Sequence, residues 1–427
     1  MENIHDWFSN GKIRLSYGEL GNQNVSSYYT FLRNVTNHTF ASYTFDGSNK
    51  AVYTSLDDPI ASDMTWETAK QWDLGLDLGF FNNRLNFTGD LYIRDTKNML
   101  TDGVALPSVY GATPPQMNSA DLRTKGYEAA ISWNDNIELF GHPFSYNVGF
   151  NISDYRSHIT RYDNPNKSFA KAYYEGQRIG EIWGFHVDGF FKTTEEAQQY
   201  ASEVDLGYVT KRVTGGWQAG DIKYLDTNGD GKIGLGQNTV DDPGDRRVLG
   251  NSLASLQYGI TAGFQYFGFD ASVFFQGTGN HYWYPTGQNM AFWGAYSYSY
   301  CSFLRADFRD LVWSEDNPDS YFPRPMAYAA TSGTLSFVND RYLQNLRYLR
   351  LKNLTIGYTL PAKWTKKAYI EKFRVFFTGE NLQYWSPLKK NSKWLDPEGA
   401  YSHGNNQNDN LTYTFPKTFT LGIDITF

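Results

Sequence analysis

From Gln71 to Phe80 the chain reads Gln, Trp, Asp, Leu, Gly, Leu, Asp, Leu, Gly, Phe, so every even position is apolar and every odd one is polar or glycine. A β-strand sends successive side chains to opposite faces, and no helix sorts residues with a period of two. The pattern returns at Leu85, Phe87, Leu91 and Ile93, with Asn82-Asn83 as the hairpin turn between the two strands. It recurs at Tyr146 to Ile152, Tyr258 to Tyr266, Phe269 to Phe275, Phe373 to Phe377 and Phe419 to Phe427. Weaker versions run near Lys12 to Leu20, Gly126 to Trp133 and Arg347 to Tyr358, the last slipping phase around Lys352-Asn353, where a bulge is expected. Leu76 and Phe264 fall on the apolar face of this series, Asp77 and Gln265 on the polar one.

The connections alternate as regularly as the faces do. Short links fall near Asn82, Gly141-His142, Phe267-Gly268 and Pro361 to Glu371. Long ones are predicted at residues 21–68, 101–123, 159–254, 280–346 and 385–416. Tight turns on one rim, long loops on the other and strands of about ten alternating residues describe a transmembrane β-barrel in an outer membrane. The expected fold is therefore all-β, an antiparallel barrel portion of about ten strands that is incomplete in this chain. The polar face is mostly Gly, Asn, Asp, Thr, Ser and Gln rather than Lys and Glu, which suits a wet lumen. Trp72, Phe80, Phe81, Trp133, Tyr266, Phe267, Tyr384 and Trp385 sit near strand ends, where interfacial girdles are found.

Composition removes other classes. No apolar run reaches the ~18 residues of a transmembrane helix. A net charge of -7 without a basic stripe argues against nucleic acid. The single cysteine, Cys301, excludes an internal disulfide framework and reads as a small apolar residue. Metalloprotease, serine-hydrolase and P-loop signatures are absent, and the seven histidines are scattered, so the chain is not expected to be an enzyme. A glycosidase would need two carboxylates ~5 to 9.5 Å apart, a property of the fold rather than of the sequence.

Asp226-Thr-Asn-Gly-Asp-Gly-Lys232 is the strongest local motif. Alternating oxygen-bearing residues around glycines that permit a sharp turn can wrap calcium, with side-chain oxygens from Asp226, Asn228 and Asp230 and the carbonyl of Lys232. Gln237 stands where an EF-hand carries its bidentate glutamate, so Asp241 or Asp242 would have to bend back as the missing ligand. The simpler alternative is a turn in an extracellular loop. The aromatic run from Tyr282-Trp283-Tyr284 through Phe292-Trp293, Tyr296, Tyr298 and Tyr300 to Trp313 fits either a sugar-stacking surface or a small core of its own. The core is preferred, because long loops that stay ordered are packed by their own side chains.

Several runs resemble SusC/RagA-type TonB-dependent transporters of Bacteroidetes. They are Lys12 to Gly18 with Gly21-Asn22-Gln23, Trp66-Glu67-Thr68 with Gly75 to Gly79, and Lys125-Gly-Tyr-Glu128. Further on come Gly220 to Tyr224 with Asp226 to Gly231, Asp245 to Asn251, Arg350 to Tyr358, and Gly379-Glu-Asn-Leu382. The resemblance implies the C-terminal part of an outer-membrane importer of oligosaccharides or peptides, capped by a SusD-like lipoprotein and energised through the TonB complex. Such barrels close with twenty-two strands around a plug. Nothing in this sequence resembles a plug or TonB box, and Met1 to Asp6 do not resemble a secretory signal, so both are expected upstream. Phe427 would be the terminal aromatic assembly signal. The alternative from another class is a soluble or surface-attached β-sandwich that binds glycans.

Overall fold

The computed structural model describes residues 7–22, 32–44, 47, 50–61, 64–103, 107, 109, 111, 113–298, 300, 304, 306–400 and 415–427. Cys301 lies outside these residues, as do parts of the predicted loops 21–68, 101–123 and 385–416. Ten long strands form one antiparallel sheet: β1 (Phe8–Asn22), β2 (Glu67–Phe80), β3 (Leu85–Asp102), β4 (Gln116–Leu139), β5 (His142–Arg161), β6 (Ser255–Tyr266), β7 (Phe269–Asn280), β8 (Tyr348–Thr359), β9 (Lys372–Trp385) and β10 (Thr418–Thr426). Their spatial order is their sequence order, and the sheet is open between β1 and β10.

The register aligns the apolar residues across strands. Leu78, Phe87, Ile131, Phe150, Ile260 and Phe275 form one row through six neighbours. Among the described residues no second sheet packs on this face, so Ile13, Leu15 and Leu421 are 70 to 76% exposed. A sandwich would bury them, which removes the soluble β-sandwich reading.

The tight turns fall where the sequence places them, with one change. Phe81 joins Asn82 and Asn83 in the left-handed region, at φ 53°, 58° and 61°, so β2 and β3 are linked by residues 81–84 rather than by two asparagines alone. At Phe140-Gly141 and Phe267-Gly268 both central residues have positive φ, as a hairpin turn matched to strand twist requires. The expected bulge is present, since consecutive Phe274 and Phe275 of β7 pair with Asn353 and Leu351 of β8 and leave Lys352 between them.

Both ends of the predicted loop 101–123 are strand. β3 and β4 stay paired out to Asp102 opposite Gln116. The hydrophobic alternation stops there because charged pairs replace it: Arg123 meets Asp95 at 2.7 Å and Lys97 meets Asp121 at 3.1 Å. Beyond a bilayer both sheet faces are wet, so the ladder continues after its apolar signal has ended.

The hydrophobic core lies in the long connections. The described residues of 162–254, 281–346 and 386–400 pack around Phe191, Ile222, Tyr224, Phe292, Trp293, Phe322, Leu335 and Tyr342, all 0 or 1% exposed. Within it, α1 (Thr194–Glu203) starts at Thr193, whose hydroxyl accepts the Glu196 N–H. Short strand pairs add to it, Glu181–Phe185 with Arg246–Asn251 and Val187–Phe190 with Ile222–Tyr224.

Candidate functional site

The polar face of the wall carries its charges in two similar arrangements. Arg14 of β1 lies across Gly75 of β2 and meets Asp77 and Asp90, each at 2.9 Å. A Cβ on Gly75 would stand 2.5 Å from the guanidinium carbon, so the missing side chain is what lets the arginine lie flat. Arg374 of β9 repeats this over Gly357, where a Cβ would come 2.6 Å from its Nε. It binds Asp270 through two hydrogen bonds of 2.9 and 2.7 Å and reaches Asp424 at 3.0 Å. Such forked pairing holds an arginine in one orientation.

Between these ion clusters lie two grooves. One of about 520 Å³ is lined by Asp90, Glu128, Asn151, Ser153, Gln257 and Gln276. The other, about 470 Å³, is lined by Asn134, Asn136, Asn147, Gln265, Asp270 and Ser272. All of these belong to the polar face in register, which makes it a surface of amides, hydroxyls and carboxylates. Such a surface can exchange hydrogen bonds with a polar solute without binding it strongly at any one point.

Above the wall, the loop body is closed by contacts between distant segments. Arg324 and Asp221 pair at 2.6 Å, and burial holds the Asp221 carboxyl above its ordinary range despite that partner. Asp340 accepts the Val187 N–H at 3.1 Å and contacts His186 at 2.7 Å. The Trp394 indole donates to the Ala291 carbonyl at 2.9 Å. Burial pushes the Tyr284 and Tyr342 phenols well above their ordinary values, so both serve as neutral donors, to Phe337 and Tyr321 carbonyls at 2.9 and 3.2 Å. Phe292, Trp293 and Tyr296 are at most 1% exposed, so the centre of the aromatic run is core, while Tyr300, beside Tyr298 and Tyr328, is 66% exposed.

A further contact ties this body to the wall. Arg350 of β8, 2% exposed, meets Asp396 at 2.6 Å and Glu398 at 2.5 Å, and Lys352 meets Glu398 at 2.6 Å. Tyr384, expected in a membrane girdle, instead lies under the Arg350 guanidinium at 4.9 Å from the ring centre. Its register partner is Arg350, which puts it on the inner face. Trp385, the next residue, is half exposed on the outer face as expected.

The Asp226 motif folds as a compact turn. The Asp226 carboxylate accepts N–H groups of Gly229 and Gly231 at 2.7 and 2.8 Å. Asn228 accepts from Asp230, and Asp230 from the Lys232 N–H, both at 3.1 Å. Asp242 turns elsewhere, to the Gln237 N–H at 3.0 Å, and Asp241 is exposed. Among the described residues no three His, Cys, Asp or Glu side chains converge as metal ligands, so neither aspartate completes a set with Asp226 and Asp230. Asp245, which the motif spacing did not single out, is 1% exposed and braces the turn through the Thr227 and Gly234 N–H groups at 2.7 and 2.8 Å. Phe427, 84% exposed, follows Thr426, whose carbonyl accepts the Glu371 N–H, so it sits on the short-turn rim.

Comparison with known proteins follows this geometry. Residues 3–244 match the family model "TonB dependent receptor-like, beta-barrel". TonB-dependent receptor P3 of Formosa agariphila is 26% identical over 97% of this chain and 39% of its own length. TonB-dependent receptor SusC of Bacteroides thetaiotaomicron is 26% identical over 97% of this chain and 37% of its own. The chain thus spans about two fifths of the length of these relatives. The structure of the RagAB peptide transporter superposes with a TM-score of 0.69 at 22% identity, over 99% of this chain and 41% of that one.

Proposed function

The chain belongs to the TonB-dependent receptor-like β-barrel family, whose members are outer-membrane proteins and not enzymes, and on that premise we propose that it forms wall and surface loops of a nutrient importer for oligosaccharides or peptides. The observation that supports it best is the pairing of a continuous outward apolar band with an inward face of amides and fixed ion pairs. A lumen of that kind hydrates a solute the size of a short oligomer while the lipid side stays dry.

The proposal includes a SusD-like lipoprotein lid over the long-loop rim and energy from the TonB complex. Its support is the likeness to SusC and to the RagAB peptide transporter. Amides and hydroxyls serve sugar hydroxyls and peptide bonds equally, so the grooves are compatible with both cargoes. Deleting the gene and supplying defined oligosaccharide or peptide pools as sole nutrient tests the reading. Growth on one pool should be lost and restored by the full-length gene, and unchanged growth on every pool would refute import.

Calcium in the Asp226–Lys232 turn is a second proposal, supported by the spacing of Asp226, Asn228 and Asp230. A carboxylate oxygen that accepts one N–H keeps a lone pair for a cation. Titration of the chelator-stripped full-length protein should give binding that the double change Asp226→Ala and Asp230→Ala abolishes. No heat of binding in the intact protein would refute it.

A further inference from the structure

We propose that the outer surface at the junction of β4 and β5 binds the phosphorylated headgroup of a lipid in the leaflet on the long-loop side. This rests on the outer-membrane barrel reading above.

Lys125 of β4 and Arg156 of β5 stand directly opposite each other in the ladder. Their side chains point outward, because the next pair along, Thr124 and Ser157, faces inward and is hydrogen bonded at 2.8 Å beneath the loops. Like charges directly opposite each other on neighbouring strands repel. Other cations on this outer face are matched: Lys70 with Glu19 at 3.1 Å, Arg123 with Asp95 at 2.7 Å, and both Lys97 and Arg161 with Asp121. Lys125 has no ion pair among the described residues. Arg156, whose side chain is 63% exposed, has only Asp154 at 3.8 Å, and that carboxylate already accepts the Leu256 N–H at 3.1 Å. An anion between Lys125 and Arg156 would relieve this repulsion.

The depth is right for a lipid phosphate. Along β5 the outward residues Phe144, Tyr146, Val148, Phe150 and Ile152 are apolar, and Asp154, Arg156 and His158 are not. Twelve residues from Phe144 to Arg156, at ~3.3 Å each and ~40° of tilt, rise about 30 Å, just past an apolar band of about 25 Å. At that level Lys125, Arg156 and His158, with Asp154, border a groove of about 330 Å³ whose lower wall is Leu91 and Tyr127. Cations above an apolar wall suit a phosphate above its acyl chains.

The test uses the full-length transporter, extracted from outer membranes and passed through detergent exchange, with retained phosphorylated lipid counted by native mass spectrometry. Wild type and Lys70→Gln, which alters an ion-paired cation on the same outer face, should retain it. The double change Lys125→Gln and Arg156→Gln should lower retention roughly tenfold or more, as expected for two headgroup-facing charges, and Lys125→Arg should keep it. Heat-modifiable migration on gels confirms that each variant is a folded barrel. Folded double variant with unchanged phosphorylated lipid would overturn the site, as would equal retention of dephosphorylated lipid. Failure of wild type itself to assemble as a heat-modifiable membrane barrel would instead overturn the reading on which the site rests.

Discussion

Replacing Ile260 with arginine should destabilise the barrel far more than the same change one residue later, at Thr261. Ile260 lies on the outer face between Phe150 and Phe275, and Thr261 on the inner face beside Gly149. Six residues separate Ile260 from Tyr266 at the short-turn end of β6. At ~3.3 Å per residue and ~40° of tilt this is about 15 Å, close to the centre of a ~25 Å apolar band. A lipid-facing arginine at that depth costs about 2 to 4 kcal/mol, falling to about 0 to 1 near the interface. Phe264 lies on the same outer face but only two residues from Tyr266, about 5 Å by the same arithmetic. Its substitution should therefore cost about 1 kcal/mol, and Thr261→Arg less still. Urea titrations of the full-length barrel folding into lipid vesicles measure these differences. Equal costs at Ile260 and Thr261 would refute the assignment of faces, and a Phe264 cost matching that of Ile260 would refute the depth scale.

Asp396→Asn should weaken the contact of residues 386–400 with the wall by about 3 kcal/mol, because it strips the buried Arg350 of one of its two carboxylates; limited proteolysis should then cut within that segment faster, and an unchanged rate would refute the stabilising role of this ion pair. His281 is 6% exposed and burial holds its pKa below the ordinary 6.5, so the unfolded chain takes up the proton first. Stability of the loop body should therefore fall as pH drops below about 6.5, and His281→Gln should flatten that slope in melts followed by tryptophan fluorescence. Deleting Phe427 should reduce the amount of heat-modifiable barrel recovered from outer membranes; equal recovery would remove its role in assembly.

The wall was legible in the sequence because a strand writes its two faces into alternate residues. The placing of Leu74, Leu91, Tyr146 and Phe264 on one face and the bulge at Lys352 follow from local order. Alternation reports a difference between two faces, however, and it disappears where both are wet. Hence the end of β3 from residue 101 and the start of β4 up to residue 123 look like loop in the sequence while their ladder runs on to Asp102 and Gln116. Tyr384 shows the same limit, since a ring near a strand end serves a lipid interface or a buried cation equally well until Arg350 is placed over it. The loop body was invisible in its particulars. His186 and Asp340 lie 154 positions apart, Asp221 and Arg324 lie 103 apart, and no local period connects them. That the aromatic run would pack inward follows from the length of its loop, but its partners were settled only when the described residues of 162–254, 281–346 and 386–400 closed on one another. Sequence by itself determined which residues face lipid and which face water along each strand, because that choice is made one residue at a time. Only the tertiary structure decided how far each lies from the membrane centre and which charges find partners, because depth and pairing depend on the tilt and register of many strands together.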